Sequence, residues 1–263
     1  MDTIFSIAPL FFLVALIYSS VGFGGGSSYL AIMALSAFSY GIMPKIALLC
    51  NIIVVAGGSY VFYKSGHIKL KNVLPFIIGS IPMAFLGGSI QIKKEIFLSL
   101  LAVTLIIASG NMVFFNTEKR KILKRDFFNS LEHSHHNNNF LRVFFGLISG
   151  SVIGFIAGLV GIGGGIFLAP LLYMTRWGYA KQISATASFF ILVNSIAGLA
   201  GQFSKGYNDS DIIQIIPLAI AVFIGGQIGS RLGAFRLSDI IVERAAGILI
   251  MYTGFRILYK LIA

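Results

Sequence analysis

The chain has 263 residues, of which 57% are hydrophobic and only 11% are charged. Because soluble domains contain about 25% charged residues, this composition excludes an ordinary soluble domain and is typical of an integral membrane protein. The formal net charge of +11 raises the question of a nucleic-acid partner. The Lys and Arg residues lie mostly in short loops beside apolar runs, as the positive-inside bias predicts. We therefore expect no nucleic-acid partner.

Apolar runs near the ~20 residues that span a ~30 Å bilayer core recur along the chain. They cover residues 4–36, 44–63, 73–92, 96–115, 141–173, 180–203, 212–230 and 238–259. The first and fifth runs are too long for one straight span. A polar, strongly basic segment at 116–140 divides the runs into two sets of four, and we expect it to be a cytoplasmic linker. The predicted fold is an all-α polytopic membrane protein with about eight transmembrane segments, formed by an N-terminal repeat (1–115), this linker and a C-terminal repeat (141–263).

Both overlong runs contain the same Gly-x-Gly-Gly-Gly pattern. The two copies are 139 residues apart, at Gly22, Gly24, Gly25 and Gly26 and at Gly161, Gly163, Gly164 and Gly165. A chance match of this kind is roughly a one-in-10,000 event, so the pattern indicates an internal duplication. Glycines that break a membrane helix free backbone groups that lipid cannot satisfy. Duplicated breaks at corresponding positions of two halves are typical of a transporter's substrate site.

The orientation of the repeats depends on what the two broken runs do. If both cross the membrane fully, the repeats are parallel, both termini are cytoplasmic, and 12 of the 20 Lys and Arg residues face the cytoplasm. If each folds back as a re-entrant hairpin, the repeats are inverted, both termini lie outside, and the cytoplasmic side holds 14 of the 20. The positive-inside rule slightly favours the inverted arrangement.

The glycine segments Val21–Gly26 and Leu159–Pro170 resemble the sulfite exporter TauE/SafE family, and the resemblance covers nearly the whole chain. The second copy is closer to the family pattern, because the first departs from it at Ser27–Tyr29. A small-polar cluster typical of the family is present at Ser184–Ser188 and has decayed at Ala47–Asn51. The resemblance implies two four-span repeats that transport a small sulfur-containing or carboxylate anion across a bacterial inner membrane.

After each break a short helix is predicted, at about 27–36 and 166–173. Its free N–H groups and positive dipole end suit an anion, whereas the alternative is that the glycines only allow close helix packing. The predicted substrate-binding residues are Gly22, Gly24, Gly25, Gly26, Ser27, Ser28, Asn51, Gly161, Gly163, Gly164, Gly165, Thr186, Ser188 and Asn194. Lys45 and Lys181 open equivalent runs and are predicted to attract anions to an entrance, with interfacial snorkelling as the alternative.

The acidic residues point to the charge of the substrate. All nine Asp and Glu residues lie in loops or near the ends of runs, so no carboxylate stands mid-membrane, where a cation pump would need one. No Ser-His-Asp or HExxH pattern occurs, and the tract at 133–136 lacks the spacing of a metal site. We expect no catalytic residues, metal or cofactor, while an anion channel or an intramembrane enzyme stays open as an alternative. The expected partners are a small anion, the lipid bilayer and a coupling ion, either proton or sodium, and the sequence allows a homo-oligomer.

Overall fold

The structure is a computed structural model that describes residues 2–20, 22–36, 38–64, 66, 70–114, 139–174, 180–206, 209–233, 248, 251–252 and 254–259. Over these residues its regular secondary structure is helical. The helices are α1 (Asp2–Ser20), α2 (Gly26–Leu35), α3 (Met43–Lys64), α4 (Leu70–Ser89), α5 (Lys94–Phe114), α6 (Asn139–Val160), α7 (Gly165–Met174), α8 (Ala180–Phe203) and α9 (Asp209–Gly233). Residues 251–252 and 254–259 are also helical. Most of the predicted linker and of the last apolar run lies outside the described residues.

The two helix breaks lie where the glycines predict them. α1 ends through Gly22, which has a φ of 84°, and the next amide, of Phe23, donates to the carbonyl of Tyr18 at 2.9 Å. α6 ends in the same way through Gly161, with a φ of 86° and a corresponding 3.1 Å bond from the amide of Ile162. A left-handed residue followed by this backward hydrogen bond is the Schellman helix ending, which glycine adopts without strain. Each half of the chain therefore opens with a helix that stops and restarts.

The helices have the length and surface of membrane segments. Three of them are long and apolar enough to cross a membrane, at Met43–Lys64, Val143–Val160 and Gln182–Phe203. Shorter apolar helices are Ile4–Ser20, Gly26–Leu35, Val73–Ser89 and Ile216–Arg231. Large apolar side chains are exposed along several helices, for example Ile78 on α4 and Val152 on α6. Exposed apolar surface on this scale requires lipid around it.

Close glycine contacts hold the helices in pairs. α4 packs lengthwise against α6 and α1 against α9. The α4–α6 pair is parallel, because Pro75 lies beside Gly146 and Ala84 lies beside Gly158. The backbones approach closely, since a Cβ atom on Gly158 would collide with the carbonyl of Ala84. A Cβ on Gly225 of α9 would likewise collide with the backbone of α1. These helix-internal glycines allow close helix packing.

α3 and α8 pack against each other with opposite directions. The Nζ atom of Lys45, at the start of α3, donates to the carbonyl of Gly206 beyond the end of α8 at 3.0 Å. Near the other end of α3, the hydroxyls of Ser59 and Ser188 are 3.0 Å apart, and Ser188 lies early in α8. We call the two ends of this helix pair the Lys45 end and the Lys64 end. Helices α1 to α4 of the first half correspond in order to α6 to α9 of the second half. Each main contact has a counterpart under this correspondence: α4–α6 matches α9–α1, α4–α8 matches α9–α3, and α2–α3 matches α7–α8.

Candidate functional site

The two breaks approach each other at the middle of α3, where Asn51 lies between them. The side chain of Asn51 is fully buried, and its Nδ2 donates to the carbonyl of Ile162 in the second break at 3.0 Å. The same amide also contacts the first break, because a Cβ atom on Gly24 would collide with its Oδ1 and one on Gly26 would lie 3.0 Å from Oδ1 and still closer to Nδ2. One side chain from the first half of the chain therefore contacts both breaks.

Ser195 of α8 lies on the other side of the second break. A Cβ atom on Gly163 would lie 2.7 Å from the Oγ of Ser195 and 2.7 Å from the Nδ2 of Asn51. Ser195 is fully buried. Within the part of the chain that the structure describes, neither its Oγ nor the Oδ1 of Asn51 has a hydrogen-bond partner. Such atoms are rare in folded proteins, and each costs about 1–3 kcal/mol, which makes both atoms candidates for contact with a ligand.

Two helix starts flank these polar atoms. α2 begins after Gly25, which has a φ of 84° and provides no side-chain cap. α7 begins after Gly163 and Gly164, each with a φ of 80°. The first N–H groups of a helix have no partner within it, and the dipole makes this end positive. The glycines thus present two uncompensated helix starts inside the helix bundle.

The other predicted polar residues fall in different places. All of them are buried, namely Ser27, Ser28, Asn51, Thr186, Ser188 and Asn194. Ser28 donates to the hydroxyl of Tyr18 at 3.0 Å, next to the first break. Ser188 meets Ser59 between α3 and α8. Asn194 donates to a carbonyl of its own helix at 2.9 Å, and no described contact joins it to a break.

The two breaks differ in the side chain that faces them. At the first break Asn51 occupies the space that a Cβ on Gly26 would need. At the second break the equivalent position, Gly165, faces Ile191, with which its Cβ would collide. The backbone arrangement is thus repeated, while a polar side chain on one side is replaced by an apolar one on the other.

The structure does not bring the two predicted entrance lysines together. Lys45 is buried near the start of α3 and donates to Gly206 at 3.0 Å. Lys181 belongs to the first turn of α8, and its side chain lies outside the described residues. Because α3 and α8 are antiparallel, the starts of these two helices lie at opposite ends of the pair. Lys45 and Lys181 therefore occupy corresponding positions in the sequence but are not close in space.

Lys205 is the lysine that lies near Lys45. Its Nζ donates to the Oε1 of Gln202 at 3.0 Å. Burial lowers the pKa of Lys205, and the positive charge of Lys45 lowers this pKa further. The pair lies beside the second break, since a Cβ on Gly161 would lie 2.6 Å from the Cα of Pro44. Sequence reasoning did not select Lys205 or Ser195 as site residues.

Metal ligands do not gather among the described residues. Within them, no group of three His, Cys, Asp or Glu side chains is close enough to hold a metal ion. The histidine-containing tract at 133–136 lies outside the described residues.

Comparison with known proteins identifies the family. The sequence profile of the sulfite exporter TauE/SafE family matches residues 7–257. A protein named probable membrane transporter protein y4hK, from Sinorhizobium fredii, is 34% identical over 98% of this chain and 100% of its own length. Probable membrane transporter protein YunE from Bacillus subtilis is 23% identical over 92% of each chain. Probable membrane transporter protein MJ0441 from Methanocaldococcus jannaschii is 27% identical over 84% of this chain and 82% of its own. No solved structure matches the chain. This multi-pass membrane protein therefore belongs to the sulfite exporter TauE/SafE family of membrane transporters.

Proposed function

We propose that the protein is a secondary transporter of a small anion in the bacterial inner membrane. The anion is sulfite, an organosulfonate, another sulfur oxyanion or a small carboxylate, and transport is coupled to a proton or sodium ion. The observation that carries the proposal is the meeting of the two glycine breaks at Asn51. Two positive helix ends favour an anion there. No carboxylate is found among the buried polar residues of the described part of the chain.

The arrangement of the helices supports alternating access. The opposite directions of α3 and α8, together with the matched contacts of the two halves, support two inverted four-segment repeats. The first break lies towards the Lys64 end, because a Cβ on Gly22 would lie 2.9 Å from Phe62. The second lies towards the Lys45 end, beside Pro44. Inverted repeats of this kind carry substrate by opening one side of a shared central site at a time.

Ligand screening and counterflow test the proposed function. The purified protein should be stabilised against heating by at least one of sulfite, thiosulfate, an alkanesulfonate or a small carboxylate, since binding at 100 times Kd adds about 2.7 kcal/mol to folding. Proteoliposomes preloaded with that anion should show counterflow of the labelled anion. A channel would equilibrate the label without counterflow, and an enzyme would convert the anion in detergent solution. Either result would contradict the proposal.

The inverted arrangement gives a labelling prediction. In a Cys50→Ser background, we expect Ser204→Cys to react with an impermeant thiol reagent in intact cells and Lys64→Cys to be protected. Both positions are exposed in the protein, and they lie at opposite ends of the α3–α8 pair. Parallel repeats would place both residues in the cytoplasm. Protection of both cysteines, with labelling of both after permeabilisation, would therefore reject inversion.

Lys45 gives a prediction about the entrance. Lys45→Ala should raise the apparent KM a few-fold at low ionic strength, and the difference from the natural protein should shrink at 1 M salt, where the Debye length is only about 3 Å. Initial rates of anion uptake over a salt series measure this effect. Lys64→Ala removes an exposed charge at the opposite end of the same helix and serves as the control. A KM change that is independent of salt would assign Lys45 a structural role at the end of α8.

A further inference from the structure

The orientation of the Asn51 amide determines what the central site still needs. Its Nδ2 donates to the carbonyl of Ile162 at 3.0 Å and is the Asn51 atom nearer to Gly26, whereas Oδ1 is the atom nearer to Gly24. This Oδ1 is buried and has no donor within the described part of the chain. An acceptor atom without a donor therefore lies against Gly24 of the first break.

Several other polar groups at the breaks can donate hydrogen bonds. The first amides of α2 and α7 are donors, and the free hydroxyl of Ser195 can also donate. These groups suit the oxygens of an anion. The Oδ1 of Asn51 does not, because two acceptor oxygens placed together repel and leave both unpaired. An anion that has acceptor oxygens alone would satisfy one part of the site and leave Oδ1 without a donor.

We propose that the transported anion carries a hydrogen-bond donor of its own, such as a hydroxyl group, and that Asn51 selects for it through Oδ1. This inference rests on the proposed function and specifies the substrate class of the same site. Oδ1 is enclosed in the present conformation, so the donor would reach it in another conformation of the proposed alternating-access cycle. A site built to pair with a substrate hydroxyl discriminates strongly against an analogue that lacks it.

A sodium ion is the competing partner for a buried amide oxygen. It would have to lie beside two positive helix ends, which disfavour a cation. It would also need several oxygen ligands, whereas the neighbouring backbone groups at the helix starts are N–H donors. The electrostatics of the breaks therefore favour a donor on the anion over a bound cation.

Matched anion pairs test the inference. We would compare 2-hydroxyethanesulfonate with propane-1-sulfonate, and glycolate with propionate, because each pair has the same charge and nearly the same size. Binding to the full-length purified protein is measured by thermal shift and by competition in proteoliposomes. The hydroxylated member should bind about tenfold or more tightly. In Asn51→Leu this affinity ratio should fall to near one. Ser195→Ala, which removes a donor, should weaken both members and preserve the ratio.

The outcomes separate the inference from the function on which it rests. Ser59→Ala, two turns along α3 from Asn51, is the control and should keep the natural ratio. Equal affinity of both members in the natural protein would overturn the inference, whether or not Asn51→Leu folds, while leaving anion transport intact. Sodium chloride could stabilise the natural protein more than N-methyl-D-glucamine chloride does, with the difference lost in Asn51→Leu. This result would assign Oδ1 to a cation and would also overturn the inference. No binding of any of the four anions or of sulfite would reject both proposals.

Discussion

Gly24→Ala is expected to reduce transport about 10- to 100-fold while the protein remains folded and inserted. Gly24 does not have a left-handed φ, so alanine brings no backbone strain. The added Cβ would collide with the Oδ1 of Asn51 and would lie 3.2 Å from Val55. Asn51 must then move and lose its hydrogen bond to Ile162, a penalty of about 1–3 kcal/mol, which corresponds to the expected loss of rate at 1.4 kcal/mol per factor of ten. Initial uptake rates per inserted protein measure it.

Gly110→Ala is the matched control for this substitution. Gly110 lies within α5, and a Cβ built there meets no atom of the described residues within 4 Å. Its transport rate should equal that of the natural protein. If a well-expressed Gly24→Ala protein also transports at the natural rate, the contact between the first break and Asn51 has no role in the transport cycle, and the glycines there serve packing.

Gly158→Val is expected to prevent the protein from folding stably. Its Cβ would collide with the carbonyl of Ala84 and lie 2.8 Å from that carbonyl's carbon. Both partners are backbone atoms of paired helices, so no side chain can rotate away. Forced separation of α4 and α6 should cost on the order of 3 kcal/mol or more, which is a large share of the 5–15 kcal/mol that stabilises a typical protein. The yield of monodisperse protein in detergent and its Tm measure the effect.

Gly110→Val provides the comparison for stability. It introduces the same side chain on a helix at a position with open space around the Cβ, so Tm should change little. A Gly158→Val protein with the natural Tm would show that α4 and α6 do not pack in the membrane as they do in the structure. The two glycine predictions are complementary, because Gly24→Ala should impair transport in a protein that still folds, whereas Gly158→Val should prevent stable folding.

The sequence was sufficient for the features that depend on neighbouring residues. Apolar runs predicted the helices, and the two glycine clusters predicted where the first helix of each half stops and restarts. Both follow from local physics, since length and hydropathy decide whether a segment is buried in lipid and glycine decides where a left-handed residue is tolerated. Asn51 was selected for the cost of burying an amide, and the structure places it between the breaks.

The contacts between the two halves of the chain could not be predicted from the sequence. Internal repeats show which residues correspond, and Lys45 corresponds to Lys181. In an antiparallel pair, corresponding residues lie at opposite ends, so Lys45 is instead near Lys205. Ser195 gave no signal either, because serines in apolar helices usually bond to their own preceding turn. Only the packing of α8 against the second break distinguishes it from the other serines.

The replacement of Asn51 by Ile191 at the second break has a kinetic consequence. One break lies towards each end of the helix pair. A solute that enters from one face of the membrane therefore first contacts different side chains from a solute that enters from the other face. Under the proposed alternating-access transport, we expect the half-saturation concentrations on the two faces to be unequal. When the coupling ion has the same concentration on both faces, detailed balance forbids this inequality from changing the final distribution, so the face with the tighter half-saturation must have the slower maximal rate. When the solute concentration is low on one face and high on the other, the difference between the two breaks thus makes the transport rate depend on the direction of transport, without consuming energy.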